Sequence, residues 1–249
     1  MDQAAPPSLT QQLTAAQAWW RDAGVDLLFV DEPVSWCADE TSPSTAIEVP
    51  AESAIPVAKP APETPKLGGS PDSWPDRLEA FADWWLTEPS LDTGGPRPRI
   101  PPRGAAGAKL MILVPQPEAD DTETLLSGPE GRLLTSFLRA AGMAEEDTYL
   151  AAGLARHTAL ADFVGLAQSG LSQITLHHIG LVAPERLLIF GRDILPLIGH
   201  DPTQNPASLE KIYHQERSIP VLVARNLELM LQRPATRSQF WQRWLDWTG

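Results

Sequence analysis

Hydrophobic positions fall into two patterns along the chain: short unbroken apolar runs, and stretches where apolar residues recur every three or four positions. The runs are 109–114 (KLMILV), 148–151, 186–190 (RLLIF) and 219–223 (IPVLV). Each has the length and continuity of a strand buried on both faces of a parallel sheet. Helical spacing predicts helices over 76–87, where Leu78, Phe81, Trp84 and Trp85 recur, and over 129–141, stopped by Gly142. It predicts further helices over 162–182, over 193–198 with Gly199 closing it, and over 236–247. Strands alternating with helices predict an α/β fold, a three-layer α/β/α sandwich around a central, mostly parallel sheet of about four strands. Ligands of such sheets sit at the carboxyl ends of the strands, so the loops after Val114, Ala151, Phe190 and Val223 are where chemistry belongs.

The front of the chain breaks this rhythm. Ser8 and Gln11 have the spacing of a capping box, and 9–23 is rich in Ala, Gln and Leu with Gly24 as a stop, which predicts a helix. An apolar stretch at 25–30 follows, consistent with a strand or a tight packing segment. Residues 41–75 hold eight prolines among Ser, Thr, Ala and Glu, the composition of a linker. Three segments result: an N-terminal helical segment (1–40), a Pro-rich acidic linker (41–75) and the main α/β domain (76–249).

Charge and cysteine usage narrow the function classes. Across 249 residues, 32 Asp and Glu face 19 Lys and Arg, a formal net charge of −13. Tight nonspecific duplex binding rests on phosphate neutralisation by basic side chains, so this balance argues against it. Residues 1–100 hold 16 acidic and 6 basic side chains, whereas in 211–249 six basic residues outnumber three acidic ones, which leaves room for a local basic surface. A single cysteine, Cys37, excludes a disulfide framework, an all-Cys iron–sulfur cluster and a Cys-based zinc site. No apolar run reaches the ~18–20 residues that cross a bilayer, and the N-terminus lacks a basic-then-apolar signal pattern. A cytoplasmic protein without membrane contact is the expectation.

Four blocks carry a resemblance to a known family: KLMILVPQPEADD (109–121), LLSGPEGRLLTSFLRAAGMAEEDTYLAA (125–152), HHIGLVAPERLLIFGRDILPLIG (177–199) and IPVLVARNLELMLQRPATRSQFWQRW (219–244). They resemble the uracil-DNA glycosylase superfamily, most closely its bacterial iron–sulfur branch. AWWRDAGVDLLFVDEPV (18–34) and LEAFADWW (78–85) are similar to the N-terminal parts of that branch. The resemblance implies a first-strand loop that places a catalytic water, and here that loop reads Val114-Pro115-Gln116-Pro117-Glu118, with only Pro117 keeping its type. Glu118 and Asp120 are the nearby carboxylates that could orient water. The Asn implied at the end of the second strand is Ala152. The His implied after the fourth strand is Asn226, which can donate a hydrogen bond but carries no positive charge. The aromatic that stacks on a flipped base corresponds to Leu126, and one cluster ligand position corresponds to Trp84. No cofactor is therefore expected.

The scaffold pattern persists while each position that does chemistry has changed, which points to a catalytically degenerate relative acting by binding DNA or a replication or repair protein. The clamp-loader psi subunit is a precedent by analogy. The alternative is an active DNA glycosylase that hydrolyses the N-glycosidic bond of uracil or another damaged base, with Glu118, Asp120 and Asn226 as its catalytic candidates. Gln116, Pro117, Leu126, Gly131, Arg132, Arg156, His157, Arg225 and Asn226 are the residues expected at the cleft. No metal site is expected: His157, His200 and His214 lack ligand spacing, and packing or capping accounts for His177-His178 better than metal binding. Trp19-Trp20, Trp84-Trp85 and Trp241/Trp244/Trp247 form pairs and a triplet that suit either core packing or a docking face. Gly191-Arg192-Asp193 is too short for a phosphate fingerprint.

Overall fold

The computed structural model describes residues 8–22, 66–201, 203–205, 209–214 and 217–249, in two units that divide between residues 57 and 58. The first unit contains α1 (Leu9–Asp22). It begins as the capping box predicts: Ser8 N donates to Gln11 Oε1 at 2.9 Å, and Gln11 N donates to Ser8 Oγ at 3.4 Å. The apolar stretch at 25–30, Cys37 and the 41–65 part of the linker lie outside the described residues.

In the second unit the four apolar runs become β1 (Leu110–Val114), β2 (Thr148–Ala152), β3 (Leu187–Phe190) and β5 (Arg217–Ala224). They pair in parallel in the order β2-β1-β3-β5, with Val114 opposite Ala152, Met111 opposite Leu187 and Phe190 opposite Ala224. The described sheet has five strands rather than about four, because β4 (Lys211–His214) pairs antiparallel along β5, with Lys211 opposite Pro220. Only Ile212 of the first three β4 residues is buried and Tyr213 is 80% exposed, so this edge strand leaves no apolar run in the sequence.

Every residue of β1, β2 and β3 is buried, and alternate side chains feed two cores. On one face Met111, Leu113, Tyr149, Ala151, Leu187 and Ile189 pack against α2 (Leu78–Thr87) and α5 (Ser172–Val182). On the other, Ile112, Val114, Leu188, Phe190 and Leu222 meet α3 (Pro129–Ala140), α6 (Leu227–Gln232) and α7 (Pro234–Thr248). Helices thus cover both faces of a mixed α/β sheet. Of the Trp triplet on α7, Trp244 is buried, while Trp241 and Trp247 are partly buried against the same core.

The helix expected over 162–182 is not continuous. A short α4 (Phe163–Leu166) passes through a wide turn at Ala167–Leu171, where Gly170 has φ 115°, before α5 begins. The Ser169 carbonyl accepts from Leu67 N there at 2.8 Å. Residues 66–75, assigned by composition to the linker, are thereby tied down: Leu67 and Trp74 pack against the core, and Trp74 Nε1 donates to Gly68 O at 2.7 Å. No described helix is long and apolar enough to cross a membrane.

Candidate functional site

The four parallel strands end on one side of the sheet, and their loops enclose a cleft of about 640 Å³. Two loops are stitched together above β1 and β2. Gly153 N donates to Val114 O at 2.8 Å, His157 Nδ1 donates to Pro117 O at 3.0 Å, and Gln116 Oε1 accepts from Thr158 N at 2.9 Å. Gln116, Pro117, His157 and Asn226 all line this cleft. Pro117 itself is buried.

The carboxylates at this cleft are Glu118, Asp120, Asp121, Glu130, Asp193 and Glu228. Two of them are consumed by the backbone. Glu118 accepts from Gly128 N at 3.0 Å, Glu130 N at 3.2 Å and Gly131 N at 3.0 Å, so its charge neutralises the exposed donors at the start of α3. Asp121, only 3% exposed, accepts from Glu118 N, Leu126 N, Ser127 N and Ser127 Oγ, all at 2.7 to 2.9 Å. Asp120 is fully exposed and lies 3.7 Å from Arg97, which also donates to the Ala119 carbonyl. Asp121 has its acceptor sites filled, and Glu118 keeps a single one, on Oε2.

Glu130 was not marked by any sequence pattern. Burial, and then the charges of Glu118, Glu228 and Asp121, push its carboxyl up to about 7. Such a group exchanges its proton near neutrality, the property of a general acid or base.

The remaining expected cleft residues take structural places. Leu126 is 4% exposed in the core with φ 57°, and cannot stack on a ligand. Gly131 is buried so close beneath it that a Cβ would lie 1.7 Å from Leu126 O. Asn226 caps α6, its Oδ1 accepting from Leu229 N at 3.2 Å. Ala152 is a buried strand residue. Arg132 is exposed on α3 and Arg225 is exposed at the end of β5.

Arg156 faces Asp92 instead of the cleft. Its Nε lies 2.8 Å from Asp92 Oδ2, which also receives Arg99 Nε at 3.0 Å. Arg156 Nη1 reaches the carbonyls of Gly95 and Arg97, and Arg99 Nη1 reaches that of Glu88. Burial alone would raise the Asp92 carboxyl, but the hydrogen bonds from Arg99 and Arg156 outweigh it and hold it below its usual range. Asp92, sixty residues before β2 ends, gave no local signal of this clamp.

His177 and His178 pack, as the sequence suggests. His177 Nε2 donates to Pro75 O at 2.7 Å. Burial, with a smaller effect from His177, pushes His178 down to about 3, and the neutral ring shares a 2.8 Å hydrogen bond between Nε2 and the Tyr149 hydroxyl while stacking on Phe81 at 3.9 Å. Trp84 sits among Phe81 and Trp74 rings, a carbon surface that offers an iron–sulfur cluster no thiolate. Among the described residues no group of three or more His, Cys, Asp or Glu is placed to hold a metal ion. Compared with known proteins, the chain matches no family model and no curated sequence.

Proposed function

We propose that this chain is a catalytically silent, uracil-DNA glycosylase-like protein that acts by binding, with a protein of DNA repair or replication as its partner. The observation that carries the reading is the fate of the first-strand loop. Its two best-placed carboxylates are committed to the loop, Asp121 by three backbone N–H groups and the Ser127 hydroxyl and Glu118 by three backbone N–H groups, which takes both away from the activation of water. Six carboxylates at the cleft also repel a phosphate backbone, which favours a protein partner over bare DNA. Helices on both faces of a four-strand parallel array and a cleft at the strand ends are consistent with the glycosylase-like three-layer arrangement.

One observation favours the alternative of an active glycosylase: Glu130 is half-buried in the cleft and exchanges its proton near neutrality. The test is base release from single- and double-stranded oligonucleotides carrying uracil, hypoxanthine or xanthine, with protein in excess. Absence of release supports the binding reading. Release that is abolished by Glu130→Gln or Asn226→Ala overturns it.

A further inference from the structure

The excess of basic side chains near the end of the chain becomes a specific surface in the fold. β3 and β5 are neighbours with Phe190 opposite Ala224, and Gly191 N donates to Ala224 O at 3.1 Å, so Arg192 and Arg225 emerge side by side from adjacent strand ends. The Phe240 ring of α7 packs on Phe190 with centroids 5.5 Å apart. Arg243, three residues further on, projects from the neighbouring position of that helix surface. All three arginines are exposed. Partial burial and then the positive charges of Arg225 and Arg243 lower the proton affinity of Arg192, which puts both of those guanidinium groups within electrostatic reach of it.

The fold leaves this repulsion unrelieved. Arg77, Arg97, Arg99, Arg103 and Arg156 each pair with a carboxylate. Among the described residues, Arg192, Arg225 and Arg243 have no hydrogen-bond or ion-pair partner, in a chain where acids outnumber bases 32 to 19. Three converging guanidinium groups with free N–H donors form a receptor for carboxylates or phosphates.

We propose that Arg192, Arg225 and Arg243 form a docking face for a short acidic segment of a partner protein. The face rests on the protein-binding reading and supplies that partner's chemistry. A nucleic-acid strand fits less well, because it continues in both directions past the three arginines and on to the carboxylates of the cleft, which a segment of two or three acidic residues need not reach. An extended peptide presents alternate side chains on one side about 6.5–7 Å apart, so two or three acidic residues suffice. At physiological salt the Debye length is about 8 Å, which keeps the rest of this acidic chain from cancelling the local attraction.

The test is fluorescence anisotropy with a labelled hexaglutamate peptide at low salt, using the full chain. The expected result is saturable binding that weakens on adding salt and falls about tenfold in the triple variant Arg192→Ala, Arg225→Ala, Arg243→Ala. Lys109→Ala with Arg139→Ala, beside Asp147 and Thr148 at the opposite, amino-terminal ends of the strands, serves as the control for nonspecific loss of charge and leaves binding unchanged. An equal melting temperature in the triple variant establishes that its fold is intact. Absence of binding by the unmodified chain, or equal binding by the triple variant, overturns the proposal. Tighter, arginine-dependent binding of labelled oligothymidylate also overturns it, in favour of a nucleic-acid face. Failure of the arginine dependence without base release removes this face alone, whereas base release removes the function on which it rests.

Discussion

The carboxylate of Glu118 lies across the start of α3, with Oε1 3.0 Å from the backbone nitrogen of Gly131. The acid that the resemblance suggests for aligning water thus works as a helix cap supplied from a neighbouring loop. Removing it strips acceptors from three backbone donors at once. Glu118→Ala is expected to destabilise the protein by about 1–2 kcal/mol, the upper part of the range for lost caps. Urea denaturation measures this, and an unchanged midpoint would show that the cap carries no stability.

Asp121 holds the same loop from within. Its four short contacts come from donors alone, and Asn in its place turns an amide N–H₂ toward some of them. Asp121→Asn is expected to cost about 2–4 kcal/mol, since hydrogen bonds to a buried charge are stronger than neutral ones. Glu118 N donates to Asp121 Oδ2, so the losses in a Glu118→Ala, Asp121→Asn double variant should fall short of the sum of the single losses. A strictly additive cycle would mean the two carboxylates hold independent parts of the loop.

Gly131 is the narrowest point of this arrangement. A methyl group there meets Leu126 O at 1.7 Å and Leu126 C at 2.6 Å, both backbone atoms that no rotamer change can move aside. Gly131→Ala is expected to destabilise by about 3 kcal/mol or more, or to leave the chain unfolded, well above the roughly 1 kcal/mol typical of point variants. Circular dichroism and thermal melting distinguish these outcomes from tolerance.

Arg156 and Arg225 look alike in sequence, each just beyond an apolar run, yet the fold gives them opposite duties. Arg156 joins Asp92 and two loop carbonyls, whereas Arg225 is exposed and unpaired. Arg156→Ala should therefore cost about 2–3 kcal/mol and speed amide exchange across 92–99, because it leaves a partly buried carboxylate short of a partner. Arg225→Ala should change stability by less than about 0.5 kcal/mol. Equal effects from the two would contradict the clamp.

The elements that could be read from the sequence are those whose cause is local. Buried parallel strands need apolar side chains on both faces, so 109–114, 186–190 and 219–223 announced β1, β3 and β5 as unbroken runs. The helix stop at Gly142 and the capping box at Ser8 and Gln11 likewise depend on neighbours in the chain. What escaped depends on distant partners. β4 is held by its pairing with β5, and the break at Gly170 is supported by Leu67, about a hundred residues earlier. The cleft was locatable from strand ends, and Gln116, His157 and Asn226 were found there. The duties of Glu118, Asp121 and Arg156 were not, because a carboxylate beside a loop reads the same whether it faces solvent or three backbone nitrogens.

Glu130 makes stability depend on pH in a defined direction. Its folded value of about 7 exceeds the unfolded value of about 4.3. Below the unfolded value both states are protonated and the residue's contribution is fully present. As pH rises between the two values, the unfolded chain ionises while the folded carboxyl resists, through burial and then through Glu118, Glu228 and Asp121. Stability is therefore lost progressively and the loss is complete once pH passes the folded value. Glu130→Gln removes the titration but keeps the shape of the side chain. The variant is expected to match the unmodified protein near pH 4.5 and to exceed it near pH 8, a crossover from about zero to a clear gain that urea denaturation at the two pH values reads directly. Equal stability at both pH values would mean that Glu130 ionises as freely in the folded cleft as in the unfolded chain.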